Sequence, residues 1–337
     1  MTASPAGAPA PPTAEAFEEF APYAGRARYA RLFARLRPNL SLWIGLGLLG
    51  LFLAVALAAL LHYGPDRNSP PVTFAWVAPL TLPPGPSLAH PFGTDEGLGI
   101  DVLSGILRAT PTDVSLVGGI LLGSAAIGLL VGGWAGLSGG LVDLVAIGGS
   151  DLFVGVPPFF LVLILYLGTL PLVATSDDLY LFAGLFVLVL WPYYARPVRA
   201  VAQRSAASPY VEASRAAGAG SDQILVRHVL PNSLFPVLAQ LPVDVYNIFF
   251  VLSVFPFLGC FGGASGLFSP ISITPYRLYP EWGALVAYGA CYGWSILPQL
   301  DAWWSYFFPA AMIVAFGLMV MLLCDGLERH MATSPGR

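Results

Sequence analysis

Six apolar runs, at about residues 39–62, 113–137, 143–168, 179–200, 232–258 and 304–327, are each long enough to cross a bilayer as a helix, which takes about 20 residues. A segment in lipid must satisfy its own backbone hydrogen bonds, and these runs lack the alternation of a half-buried strand. The sequence therefore predicts an all-α membrane protein with six transmembrane helices. Hydrophobic residues make up 56% of the chain and charged residues 10%, with a mean hydropathy of +0.73. A water-soluble core could not hide that much apolar surface.

The net charge of −4 and the pI near 5.5 give no reason to expect a nucleic-acid partner. The placement of positive charge is more informative. Arg26, Arg28, Arg31, Arg35 and Arg37 precede the first run, Arg196, Arg199, Arg204, Arg215 and Arg227 surround the connection between the fourth and fifth runs, and Arg329 and Arg337 follow the sixth. The opposite side has only Arg67, Arg108 and Arg277. By the positive-inside bias, both termini and the fourth-to-fifth connection are cytoplasmic. The expected organisation is a cytoplasmic tail (1–37), a first transmembrane helix (38–63), an extracellular segment (64–112), a five-helix core (113–327) containing a cytoplasmic hairpin (203–231) and an extracellular segment (259–303), and a cytoplasmic tail (328–337). The Ala-, Pro- and Glu-rich first 25 residues read as a disordered tail and not as a cleavable signal, so the first span serves as an anchor.

Tyr210 to Pro231 is a polar, small-residue island between apolar runs. Ser208 suits an N-cap, Pro209 the first helical position, and Glu212 the positive end of the helix dipole. Gly218 and Gly220 break that helix. Ser221 is placed to cap a second short helix whose Ile224, Leu225, His228 and Val229 share a face before Pro231 opens the next span. Ala213, Ser214, Ala216 and Ala217 keep the first helix thin enough to lie deep in a partner's groove, and Arg204, Arg215 and Arg227 keep it in water.

The order Glu212-Ala213-Ser214, then Gly218, then Leu230-Pro231, resembles the EAA loop of permease subunits in binding-protein-dependent ABC importers. His90-Pro91-Phe92-Gly93-Thr94-Asp95, Asp101-Val102-Leu103-Ser104, Gly139-Gly140-Leu141-Val142-Asp143, Trp191-Pro192 with Tyr194-Ala195-Arg196, and Glu281-Trp282-Gly283 resemble the C-type subunit of the oligopeptide/dipeptide/nickel permease family, over about residues 38 to 330. Ser214 replaces the usual second Ala, and Leu252 stands where such subunits often carry Glu. The resemblance implies a type I ABC importer permease fold with a cytoplasmic coupling helix, in the cytoplasmic membrane of a prokaryote. It implies a homologous B-type permease, two cytoplasmic ATPase subunits and an external solute-binding protein as partners. Glu212, Ala213, Ser214, Arg215, Gly218, Leu230 and Pro231 would couple to the ATPase. The implied cargo is oligopeptide, with oligosaccharide as the alternative.

Other motifs bound the chemistry. The chain contains no lysine, which excludes a Walker A loop, so ATP and Mg would be bound by partner subunits and no cofactor is expected here. Gly45-x-Gly47-x-x-Gly50 lies inside an apolar run with no preceding strand and reads as helix packing. Gly263-Ala264-Ser265-Gly266 imitates a rhomboid-type protease motif, but none of the four histidines (His62, His90, His228, His330) lies mid-span in a later helix to activate the serine. Neither a catalytic site nor a metal site is expected. Gly119, Gly123, Gly128, Gly132 and Gly136 form a small-residue face suited to close helix approach in lipid. Pro157-Pro158 and Pro256 are expected to bend their spans.

Cys260 and Cys291 share an outside segment, where a disulfide or two separate thiols are both open; Cys324 lies in the last run. Gln240, Asp244 and Asn247 share one face of the fifth run. An acid at that depth points to a translocation pathway, with a buried hydrogen-bond knot as the alternative. An ion-coupled secondary transporter would be expected to show paired intramembrane charges, of which the chain offers few.

Overall fold

The computed structural model describes residues 39–63, 85–94, 101–169, 178–261, 281–295 and 302–333. Its helices are α1 (Leu40–Tyr63), α2 (Val102–Ser138), α3 (Gly140–Val154), α4 (Pro158–Thr169), α5 (Asp178–Ala206), α6 (Pro209–Ala216), α7 (Ser221–Ile224), α8 (Leu230–Phe261), α9 (Trp282–Ser295) and α10 (Trp304–Thr333), with a π-helical turn at Leu225–Val229. Among the described residues there is no strand beyond an isolated antiparallel bridge between Thr94 and Asp101. Among the described residues five helices are long and apolar enough to cross a membrane, or six if a bent pair counts as one span.

The bent pair corrects the expectation of one continuous span over 143–168. Gly140–Val154 and Pro158–Thr169 meet at 93°. Pro157 and Pro158 supply no N–H to a continuing helix, and a proline disfavours helical backbone in the residue before it. Both halves keep apolar faces exposed, as at Val145 (73%) and Ile164 (62%).

The helices extend beyond the apolar runs. Residues 64–112 are expected to form an extracellular segment, and α2 begins within them, at Val102, and runs 37 residues, about 55 Å at 1.5 Å per residue. That exceeds the hydrocarbon thickness, so its first turns continue as helix past the apolar run. Asp101 caps it by accepting from the Ser104 N–H at 2.8 Å, and its other carboxylate oxygen lies 3.1 Å from His90 Nδ1. The segment expected at 259–303 likewise contains helix α9, and α8 reaches Phe261. Pro256 lies inside the continuous α8.

The centre of the molecule is the α2–α5 seam. A Cβ added at Gly128 would strike Tyr194, one at Gly132 would strike the Ala195 carbonyl, and one at Gly136 would come 2.5 Å from the Ala202 methyl. Gly123 faces Val187, while Gly119 meets nothing within 4 Å. Most of the glycine face thus lets two backbones touch. Gly45 does the same for α1 against Leu323 of α10, and Gly326 of α10 against Leu42, whereas Gly47 and Gly50 face open space.

Near the N-terminal end of α2, Trp282 at the start of α9 is fully buried. Its ring lies 5.8 Å from Phe52 of α1, 5.8 Å from Phe249 of α8 and 5.9 Å from Phe316 of α10. Its indole N–H donates to the Ile106 carbonyl of α2 at 3.3 Å. One residue therefore joins four spans, and Leu252 belongs to the same core at 3% exposure.

Candidate functional site

The hairpin 203–231 is built as its residues dictate. Ser208 has extended backbone before Pro209, and its carbonyl accepts from the Val211 and Glu212 N–H groups at 3.1 and 3.2 Å. Its hydroxyl donates back to the Ser205 carbonyl and so makes no side-chain cap. Gly218 sits at φ +91°, a left-handed conformation that glycine adopts at little cost and that commonly ends a helix. Its N–H donates to the Arg215 carbonyl at 2.9 Å, and the Ala219 N–H to the Ser214 carbonyl at 3.0 Å.

The second arm differs from expectation. Gly220, not Ser221, occupies the N-cap position, and Ser221 is the exposed first residue of α7. The arm is no separate helix, because it continues through the π turn into α8, and the stretch Ser221–Phe257 forms one spanning helix. At the turn the Leu230 N–H donates to the Leu225 carbonyl, five residues back. Pro231, next in line, has no N–H to give, and a π turn is one way a helix absorbs such a gap.

A satellite core holds the arms together. Val211 of α6 is buried with Ile224, Leu225 and Val229 of the second arm and Ala202 of α5, with Leu137, Ala219 and Leu230 packed around them. The other face of α6 is open: Glu212, Ala213, Arg215, Ala216 and Ala217 are exposed, as is Pro231. Ser214 is half-buried. Its hydroxyl donates to the Tyr210 carbonyl at 2.8 Å and lies 3.5 Å from His228 Nε2, while the Tyr210 and His228 rings are 5.4 Å apart. The arrangement is a short, thin, exposed helix packed through one buried apolar residue, Val211, against the start of the long helix that continues as α8.

Gln240, Asp244 and Asn247 are brought together as predicted. The Gln240 amide donates to Asp244 Oδ1 at 3.0 Å, and Asn247 lies close to the same carboxylate. Asp244 is fully buried and faces α5, where the buried Tyr194 hydroxyl approaches it; neither that hydroxyl nor Asp244 Oδ2 completes a hydrogen bond of ordinary geometry. In this conformation the polar stripe lies within the α5–α8 packing.

Sequence reasoning missed two ion pairs. Arg199 of α5 makes a two-atom contact with Asp143 of α3, and Arg196 contacts Asp151. The available signal was two acids in an otherwise apolar run, which must find partners. The side chains of Cys260 and Cys291 and the whole of Gly263–Gly266 lie outside the described residues. Cys324 is a buried free thiol. Among the described residues no group of three or more His, Cys, Asp or Glu is placed to hold a metal ion.

Residues 128–333 match the family described as binding-protein-dependent transport system inner membrane component. The chain is 30% identical over 244 residues to a protein of Escherichia coli K12 named probable D,D-dipeptide transport system permease protein, covering 72% of this chain and 73% of that one. It is 28% identical over 252 residues to a nickel transport system permease protein of the same organism, covering 74% and 82%. Against a dipeptide transport system permease protein of Bacillus subtilis 168 it is 29% identical over 287 residues, covering 84% and 80%. These relatives are membrane subunits for transport and not enzymes. With the matched region taking in α5, the hairpin, α8 and α10, the chain belongs to the binding-protein-dependent transport system inner membrane component family, the integral membrane permeases of ABC importers.

Proposed function

We propose that this chain is one of two permease subunits of an ATP-driven importer of oligopeptides fed by an external solute-binding protein, and that α6 is its coupling helix. The observation that carries the reading is the hairpin. Glu212, Ala213 and Arg215 are exposed while Val211 and Gly218 fix the helix against the root of α8. Closure of a cytoplasmic ATPase dimer would move the groove holding α6. Because the second arm is continuous with α8, that displacement would tilt a span directly, and the α2–α5 seam would carry it across the molecule as a rigid body. Rocking of such bodies around a central route is how many transporters alternate access.

Two of the relatives are named for dipeptide cargo and one for nickel, which supports small peptides as the substrate class. Both termini and the hairpin would be cytoplasmic, with ATP and Mg held by the ATPase subunits.

Purification of the detergent-solubilised complex through a tag on this chain tests the reading. A second permease and ATPase subunits should co-purify, and the reconstituted complex with its binding protein should accumulate oligopeptide only with ATP. Peptide uptake that persists when the ATPase subunits are inactivated would overturn it.

A further inference from the structure

Two buried carboxyl groups meet where α9 joins α2. Asp113 of α2 is fully buried, and Glu281, just before α9, is 4% exposed. Between them they take the first three amides of α9: Asp113 Oδ2 accepts from the Trp282 N–H at 2.9 Å, and Glu281 accepts from the Gly283 and Ala284 N–H groups at 2.9 and 2.7 Å. Both Glu281 oxygens are thus engaged as acceptors, which favours its ionised form. Asp113 Oδ1 is different, being buried with no hydrogen-bond partner among the described residues.

An unpartnered carboxylate oxygen beside a second carboxylate, away from water, is a costly arrangement. Among the described residues the charge that acts on Asp113 is that of Glu281, and the three spans that meet the neighbouring Trp282 bring aromatic rings, those of Phe52, Phe249 and Phe316. A proton on Oδ1 removes the conflict while leaving every observed backbone hydrogen bond in place. We propose that Asp113 and Glu281 form a one-proton site, with the proton on Asp113 and the negative charge on Glu281, that fastens α9 to α2.

The fastening has a location that matters. Trp282 is held to α2 at two points, by its backbone N–H to Asp113 and its indole N–H to Ile106. Its ring touches three other spans. Gly283 packs so closely on α8 that a Cβ there would come 2.8 Å from the Leu252 carbonyl carbon. Loss of the proton would place two charges at this junction and drive α9 away from α2. Burial makes the pair hold its proton above the ordinary carboxylate range. A proton bound more tightly in the folded state stabilises the fold at low pH, and that contribution fades as pH rises through the pair's own titration. The junction should therefore be firm in mildly acidic medium and loosen toward alkaline pH.

Infrared difference spectroscopy on the purified complex tests this without relying on the transport reading. At neutral pH the complex should show the carbonyl stretch of a protonated carboxylic acid, shifted in heavy water, that is absent from Asp113→Asn and fades as pH is raised. Glu281→Gln removes the neighbouring charge and should move that fading to higher proton concentration, by tenfold or more. Thermal stability of the parental complex should fall between pH 6 and pH 9, and Asp113→Asn should flatten the slope. A complex without an exchangeable protonated-acid band at neutral pH overturns the proposal, as does a band whose titration Glu281→Gln leaves unmoved. If Asp113→Asn does not assemble, the parental titration and Glu281→Gln decide the matter alone.

Discussion

The α2–α5 seam and the 203–231 hairpin both rest on glycine, and they use it in opposite ways. In the seam, Gly128, Gly132 and Gly136 are helical residues whose missing side chains let backbone meet backbone. In the hairpin, Gly218 has open space around its Cβ position, and what it contributes is a positive φ. The first use makes a body that moves as one piece. The second makes a sharp turn at the edge of that body, held by a five-residue apolar cluster and otherwise exposed to water. The proposed coupling, with force received at one end and helices tilted at the other, needs both.

That contrast predicts unequal costs. The largest effect is expected from Gly132→Leu, because the new side chain would have to displace the Ala195 carbonyl of α5. Overpacking of a tight core typically costs about 1–3 kcal/mol and can cost more where only backbone can yield, so little assembled complex should be recovered in detergent. Parental yield and melting temperature would show that α2 and α5 are not locked together. Asp244 gives the next largest effect. Asp244→Leu strands the Gln240 amide in the α5–α8 packing, at about 1–3 kcal/mol for an unsatisfied buried donor, whereas Asp244→Asn should be milder. A pathway role would instead show as changed uptake per folded complex at unchanged stability.

Gly218→Val should cost about 1–2 kcal/mol of local strain and leave insertion intact, since nothing crowds the site. Its signature is lost uptake with ATP hydrolysis retained, and normal uptake would mean that the turn tolerates change. The smallest effect is expected from Asp143→Asn, which removes an ion pair whose arginine is 32% exposed. Such pairs are worth about 0.2–1 kcal/mol and are screened by salt, so a melting-temperature difference visible in low salt should vanish in high salt.

How far the sequence could be read follows the same division. The apolar runs located the membrane helices because lipid demands apolar residues in long stretches. The Gly218 turn was legible because a left-handed backbone leaves a residue-level mark. What escaped was polar structure buried by packing. Arg108, Thr110 and Thr112 kept the first turns of α2 out of the apolar run, which starts at Asp113, a residue fully buried and bonded to the Trp282 N–H of α9. The helix α9 went unread inside the segment 259–303, although Glu281-Trp282-Gly283 marks its start. The break at 155–157 was marked by Pro157-Pro158, but hydropathy averaged the two halves into one run. At Ser221 the adjoining Gly220 took the cap position, one residue earlier than the serine suggested.

The central claim is that α6 transmits motion from a cytoplasmic ATPase to α8, and Glu212 tests it most directly because its side chain is exposed. In proteoliposomes containing the complete importer, peptide accumulated per ATP hydrolysed should fall several-fold in Glu212→Ala, with melting temperature and subunit composition at parental values. An unchanged ratio in that variant and in Gly218→Val, in complexes of parental composition, would contradict the account.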